Sequence, residues 1–273
     1  MWKFVFLAYA LFWFMVMALG GTAAMVFNAP PVVQRIVEAF CAWAPTFALL
    51  ILFKKLRPDT SLKDFVTGVF RARIRLDLLL VSAVAVIVSS TLPLLILSGG
   101  QPITSFFSLK GYSLPATLLL SLVAGPLGEE LGWRGYLRVE LDKKYRFITA
   151  SVVAGVIWAF WHAILWFVDV VFLGGEVGWP LVLYIIANIV VLTSLVIIMN
   201  VVMARSNNLI NAIWIHFWYN IIFYHLTNIT HAYFGWLTIV YAVTGALFLV
   251  YHYGRRSHPN GLAPATLAAT SEK

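Results

Sequence analysis

Long apolar runs alternate with short polar stretches along almost the whole chain. A helix needs about 20 mostly apolar residues to cross a bilayer, and eight runs approach or exceed that length. They cover residues 4–27, 36–53, 78–97, 114–137, 148–172, 180–203, 209–226 and 233–251. The pattern predicts an all-α, polytopic membrane protein with about eight transmembrane helices. Residues 1–257 are predicted to form one transmembrane domain, and residues 258–273 a polar C-terminal tail.

The first run has a second interpretation, because the small residues at 18–24 would suit cleavage of a signal peptide. The run is longer than the apolar core of a signal peptide, which favours a retained helix. Cleavage would leave seven transmembrane helices without changing the rest of the prediction.

A basic loop lies between the second and third runs. In it Ser61 and Asp64 have the spacing of a capping box. Apolar residues then recur at helical spacing over residues 62–70, which predicts a short amphipathic helix on the inner membrane surface. Basic residues concentrate in cytoplasmic loops, so this loop and both termini are predicted to be cytoplasmic. Only Arg35 and Lys110 fall on the outer side, and the short loops favour a prokaryotic plasma membrane.

The composition supports a membrane protein and excludes other classes. The chain is 62% hydrophobic and 11% charged, whereas soluble domains carry roughly 25% charged residues. The net charge of +8 does not indicate a nucleic-acid partner, because the basic residues are spread over loops and form no binding face. Cys41 is the single cysteine, so the chain can form no internal disulfide.

The fourth run ends in ionisable groups, which are costly within a membrane and therefore indicate a partner or a function. Glu130 precedes Arg134 by four positions, the favourable order for an ion pair on a helix, so Glu130 is predicted to be structural. Glu129 points about 100° away on the same helix and is predicted to be free for chemistry. Alternatively, both carboxylates reach the cytoplasmic interface and are solvated.

Small residues in the same run indicate close packing. Ala124, Gly128 and Gly132 form a stripe that allows a neighbouring helix to approach. Pro126 is predicted to kink the helix one turn before Glu129.

Two further runs carry unusual polar residues. His162 lies on the fifth run, with Trp158 four positions earlier as a wall beside the imidazole, and His216 and Asn220 share a face of the seventh run. With a rise of 1.5 Å per residue, these groups and Glu129 lie about 12–20 Å from the inner edge. The matched depth predicts a polar site buried between helices 4, 5 and 7. The alternative is that each histidine only bonds a backbone carbonyl.

A carboxylate beside an imidazole can deprotonate a water molecule. A second histidine with an asparagine can donate hydrogen bonds to the oxyanion formed when that water attacks a carbonyl. This combination is suited to amide hydrolysis without a covalent intermediate. Zinc binding is the alternative, since histidine and carboxylate are zinc ligands, but the His-Glu-x-x-His motif is absent. No cofactor or metal is therefore predicted.

Three motifs in this order resemble the CPBP (CAAX protease and bacteriocin-processing) family of intramembrane glutamate proteases. They are Glu129-Glu130-x-x-x-Arg134, an aromatic-x-x-x-His motif from Trp158 to His162, and His216-x-x-x-Asn220. The resemblance runs over about residues 115–222, within a family-like core of about 115–250.

The resemblance implies that Glu129 and His162 activate water, while His216 and Asn220 stabilise the oxyanion. It also implies that Glu130 and Arg134 support the site, and Trp158 stands where the family often has phenylalanine.

By this resemblance the chain is similar to the Ras-converting CAAX endopeptidase. The expected partners are the lipid bilayer and a membrane-anchored or prenylated, CAAX-like peptide substrate. An alternative from another class is a non-catalytic membrane scaffold or bacteriocin self-immunity protein of the same fold. A proton-relaying transporter is a third possibility, which the absence of an inverted repeat disfavours.

Overall fold

The computed structural model describes residues 1–166 and 178–254, whose main elements are helices. These are α1 (Trp2–Val26), α2 (Pro31–Leu56), α3 (Leu62–Phe70), α4 (Leu76–Leu97), α5 (Leu114–Asp142), α6 (Phe147–Trp161), α7 (Trp179–Ser206), α8 (Ile210–Phe223) and α9 (His231–Gly254). The end of the predicted fifth run and the predicted C-terminal tail lie outside the described residues.

The predicted fold class is confirmed: the chain is an all-helical, multi-pass membrane protein. Within the described residues, six helices are long and apolar enough to cross a membrane, namely α1, α2, α4, α5, α7 and α9. The two remaining predicted spans correspond to α6 and α8, which have 15 and 14 residues. With a helical rise of about 1.5 Å per residue, each of these helices is only about 20 Å long, which is less than the thickness of a bilayer core, about 30 Å. The total of eight membrane crossings therefore stays a prediction.

The short helix α3 forms where the sequence predicts it. The Ser61 hydroxyl accepts a hydrogen bond from the Asp64 backbone N–H at 3.0 Å, which caps the helix. The C-terminal end of α3 is attached to the start of α8. The Asn208 side-chain amide donates to the Phe70 carbonyl, and the Leu209 N–H donates to the Val69 carbonyl.

The small-residue stripe of α5 packs against α2, as predicted. A Cβ atom on Gly128 would lie 2.7 Å from the Trp43 side chain, and one on Gly132 would lie 2.8 Å from Pro45. Such distances leave no room for a larger residue, so these glycines set the spacing of the two helices. α5 is thereby fixed on one side by α2, and its other side is turned toward α6 and α8.

The kink in α5 lies just before Pro126, at Ala124 and Gly125. Ala124 has ψ 69° and Gly125 has φ 131°, both outside the helical range. A proline disfavours helical geometry in the residue before it, and glycine tolerates a positive φ that other residues rarely adopt. The helix therefore breaks one to two residues earlier than predicted, and the Ala124 carbonyl becomes accessible to side chains of α8.

Candidate active site

The predicted site residues lie on α5 and α8 and at the end of α6, which correspond to helices 4, 7 and 5 of the sequence prediction. Glu129 and Glu130 are 3% and 0% exposed, and His216 and Asn220 are also buried. The alternative in which both carboxylates are solvated at the interface is therefore wrong. Each ionisable group must instead find its partners inside the protein.

Glu130 links two helices through one oxygen. Its Oε1 accepts a hydrogen bond from Arg134 Nη1 at 3.0 Å, which is the ion pair predicted from the spacing. The same oxygen lies 2.7 Å from Nδ1 of His216 on α8. A carboxylate only accepts hydrogen bonds, so Nδ1 of His216 carries a proton directed at Glu130. The other ring nitrogen, Nε2, takes no part in the contact with Glu130 and can therefore contribute to the site.

Glu129 is held by a residue on a different helix. Its Oε2 accepts a hydrogen bond from the Trp158 indole N–H at 2.6 Å. The guanidinium of Arg134 lies 4.2 Å from the centre of the same indole ring, and the imidazole of His216 lies 5.0 Å away. The sequence predicts Trp158 as a wall beside His162, whereas the structure also makes it a hydrogen-bond donor to Glu129.

His162 lies at the edge of this group. It follows the last residue of α6, and its Nδ1 lies 2.9 Å from the carbonyl oxygen of Trp158. A carbonyl only accepts, so Nδ1 carries the proton and Nε2 is an acceptor. Its ring meets the Trp158 indole edge to face at 5.6 Å. Among the described residues, His162 is not hydrogen-bonded to Glu129.

The Ala124 carbonyl, accessible at the break in α5, orients Asn220. The Asn220 side-chain nitrogen donates to it at 2.8 Å, and the Tyr224 hydroxyl donates to it at 3.2 Å. Because the carbonyl accepts only, the NH₂ group of Asn220 must face it, and its second N–H remains available. The sequence predicts Ala124 as part of the small-residue stripe but not its carbonyl as an acceptor, and it predicts no role for Tyr224. Two features of the sequence could have indicated these contacts. One is the Gly125-Pro126 pair at the break in α5, and the other is the four-residue spacing from Asn220 to Tyr224.

Three functional atoms converge next to Gly125. A Cβ atom on this glycine would lie 2.7 Å from Asn220 Nδ2, 3.0 Å from His216 Nε2 and 3.2 Å from Glu129 Oε1. The point is thus within hydrogen-bonding distance of an amide donor, an imidazole nitrogen and a carboxylate. Because that position is one bond length from the Gly125 Cα, no substrate atom can occupy it. Its distances show instead that the three polar atoms lie close together around a glycine, where any side chain would collide with them.

Comparison with known proteins shows a family relationship for the segment that carries these residues. Residues 111–222 match the family model described as type II CAAX prenyl endopeptidase Rce1-like. A curated protein named CAAX prenyl protease 2, from Methanococcus maripaludis, is 32% identical over 134 residues, which cover 46% of this chain and 48% of that protein. The chain thus matches about half the length of this relative. The predicted family resemblance is confirmed for the segment, which contains every predicted site residue from Glu129 to Asn220.

Proposed function

We propose that the protein is an intramembrane endopeptidase that hydrolyses a peptide bond of a membrane-anchored or prenylated, CAAX-like substrate. The observation that carries the proposal is the convergence of Glu129, His216 and Asn220 next to Gly125. The Rce1-like segment supports the same reaction class. The proposed location is a prokaryotic plasma membrane with both termini cytoplasmic, which places the basic loops inside.

Glu129 is the proposed general base. The indole of Trp158 holds Oε2, so Oε1 is directed toward the reacting group. Glu129 removes a proton from a water molecule, whose oxygen attacks the carbonyl carbon of the scissile bond. The same proton passes to the leaving nitrogen when the carbon–nitrogen bond breaks, giving a carboxylic acid and an amine. His162, with Nε2 as an acceptor, assists in orienting the water from the edge of the site.

Asn220 and His216 are the proposed oxyanion donors. The second N–H of Asn220 is available because the first is held by the Ala124 carbonyl. Nε2 of His216 donates when the ring carries both protons, since Nδ1–H is directed at Glu130. In that state two carboxylates face two cations, Arg134 and His216, and the buried cluster is neutral. A neutral cluster suits a site within a membrane.

We propose that the reaction needs no metal. In the part of the chain that the structure describes, no three His, Cys, Asp or Glu side chains are arranged to hold a metal ion. Glu130 Oε1 binds Arg134 and His216, and Glu129 Oε2 accepts from Trp158. Glu129 Oε1 and the Nε2 atoms of His162 and His216 lie outside these contacts, so the proposal rests on the lack of a convergent set of ligands among the described residues.

A scaffold or immunity role remains the alternative function. It would require the buried Glu130–Arg134–His216 network, which links α5 to α8. It gives no reason for Glu129, His216 and Asn220 to converge around the same glycine. The endopeptidase is therefore favoured.

The test is cleavage of a panel of membrane-anchored peptides, lipidated and unlipidated, by the purified protein in detergent. Mass spectrometry should identify one cut bond, and addition of hydroxylamine should give no hydroxamate product, because water attacks directly. A hydroxamate would reveal an acyl-enzyme and contradict the mechanism. Failure to cut any peptide, with the fold intact, would count against the enzyme and favour the scaffold.

A further inference from the structure

The first helix, α1, directs two hydrogen-bond donors at α6. Tyr9 and Trp13 are four positions apart, so they lie on one face of α1. The Tyr9 hydroxyl donates to the carbonyl oxygen of Ile157, and the Trp13 indole N–H donates to the carbonyl oxygen of Trp161 at 3.0 Å. The two acceptors are also four positions apart, on one face of α6. One face of α1 is thus joined to one face of α6 at two successive turns.

Each acceptor belongs to the peptide group that leads into a site residue. The carbonyl of Ile157 shares a planar peptide unit with the backbone nitrogen of Trp158, which donates from its indole to Glu129. The carbonyl of Trp161 shares a second such unit with the backbone nitrogen of His162, at the edge of the site. A donor bonded to the carbonyl restricts rotation of the peptide unit, and with it the direction of the residue that follows. The two donors of α1 therefore hold the backbone from which both side chains project.

The end of α6 depends on a donor from outside the helix. The last four carbonyls of a helix have no backbone partner within it. Trp161 is the final residue of α6, and Trp13 supplies the donor that its carbonyl lacks. One turn earlier, the carbonyl of Trp158 accepts from Nδ1 of His162 at 2.9 Å. The bond from α1 and the bond that orients the imidazole thus lie in the same terminal turn.

Aromatic rings pack α1 against this end of α6. Phe12 stacks on the Trp161 indole with ring centres 3.7 Å apart, and it meets the imidazole of His162 edge to face at 6.4 Å. Phe12 and Trp161 are 4% and 1% exposed. The Trp161 indole also returns a hydrogen bond to α1, at the Ala8 carbonyl. The buried rings keep the two helices together, and the two donors of α1 fix the peptide groups beside the site.

We propose that Tyr9 and Trp13 are positioning residues for the reaction. By holding the peptide groups before the two site residues of α6, they set the direction of the indole that binds Glu129 and of the imidazole that orients the water. α1 lies outside residues 111–222, the segment that matches the family model, so this positioning comes from a part of the chain that the match does not cover. The inference rests on the proposed endopeptidase function and adds two residues to it.

Trp13→Phe and Tyr9→Phe each keep an aromatic ring and remove the donor. Each should lower kcat about 5- to 10-fold with KM unchanged, because a misplaced group slows the chemical step without weakening substrate binding. Trp2→Phe is the matched control, since Trp2 lies on the same helix and is similarly exposed, 48% against 39% for Trp13. Its kcat should equal that of wild type. An unchanged kcat in Trp13→Phe, or a loss confined to KM, would overturn the positioning role.

Double variants show whether each donor acts through the site residue that follows its acceptor. Trp13→Phe should cost little further kcat in a His162→Gln background, because the group that it positions is already gone. Tyr9→Phe should likewise cost little further kcat in a Trp158→Phe background. Losses that simply multiply in both backgrounds would make the two donors general contributors to stability and overturn the inference.

A spectroscopic measurement separates this inference from the proposed function. Nδ1 of His162 carries the proton directed at the Trp158 carbonyl. Nitrogen NMR of protein with isotopically labelled histidine, in detergent and with the ring neutral, should show this single tautomer in wild type. The signal is assigned by its loss in His162→Gln. Trp13→Phe should give a mixture of tautomers, whereas Trp2→Phe should not.

The NMR result decides the positioning role whether or not any peptide is cleaved. A single Nδ1–H tautomer in Trp13→Phe would overturn the inference. A mixture of tautomers in Trp13→Phe alone would support it, and a failure of wild type to cut any peptide would then count against the endopeptidase and not against the contact between α1 and α6.

Discussion

Single hydrogen bonds distinguish the two adjacent carboxylates. Glu130 shares one oxygen between Arg134 and His216, while Glu129 is held by the indole N–H of Trp158. The four-position spacing of Glu130 and Arg134 predicts their ion pair, because residues at this spacing share one face of a helix. The sequence does not reveal the bond between Trp158 and Glu129, since Trp158 is 29 positions away on another helix. A phenylalanine at this position would keep the aromatic contact but lose the donor.

Trp158→Phe should lower kcat about 10-fold, because a hydrogen bond to a charged group contributes about 1.5–3 kcal/mol. Steady-state kinetics on the cleaved peptide measure the effect. Trp161→Phe is the control, since its indole donates at 3.1 Å to the Ala8 carbonyl and not to a site residue. An unchanged kcat in Trp158→Phe would show that the bond does not orient the base.

Gly125→Ala should reduce activity at least about 100-fold. The new methyl would lie within 3.2 Å of three site atoms and would push Asn220, His216 and Glu129 out of their positions. The positive φ of 131° adds backbone strain to this clash. Gly235→Ala in α9, where a Cβ meets nothing within 4 Å, should retain full activity. Equal kinetics for the two variants would contradict a role in the reaction for the three side chains around Gly125.

At the scale of helices, the site depends on the break in α5 and on the two short helices α6 and α8. The sequence predicts a kink near Pro126 and a helix from residue 148 into the following segment. In the structure the break is at Ala124–Gly125, and α6 ends at Trp161. Hydropathy does not reveal either boundary, because the residues around them are equally apolar. The amphipathic α3 could be predicted well, since its cap and its periodicity are local features.

The contact between α5 and α8 should depend on Glu130 more than on Glu129. Glu130→Gln removes the charge that binds both Arg134 and His216, and breaking a buried ion pair costs about 3–5 kcal/mol. We expect a clearly lower melting temperature in detergent, while Glu129→Gln stays close to wild type. Arg75→Gln, which breaks an exposed pair, should have little effect. A Glu130→Gln variant as stable as wild type would contradict the structural role.

At the scale of the whole molecule, the apolar runs establish the protein class, and the polar exceptions within them indicate the site. Every residue named from spacing, from Glu129 to Asn220, lies in the segment that matches Rce1-like proteins. The sequence does not predict the hydrogen bond of His216 to Glu130 or the attachment of Asn220 to Ala124. These contacts join residues that are more than 80 positions apart. They depend on the arrangement of distant helices and not on local spacing.

The most direct test compares peptide cleavage by purified wild type and Glu129→Gln, each with and without a metal chelator. Wild type should cleave equally under both conditions. Glu129→Gln should be slower by about 100- to 10,000-fold, the range expected for loss of a general base, and should keep its melting temperature. Near-normal cleavage by Glu129→Gln would contradict Glu129 as the base, and loss of wild-type activity with chelator would contradict the metal-free mechanism.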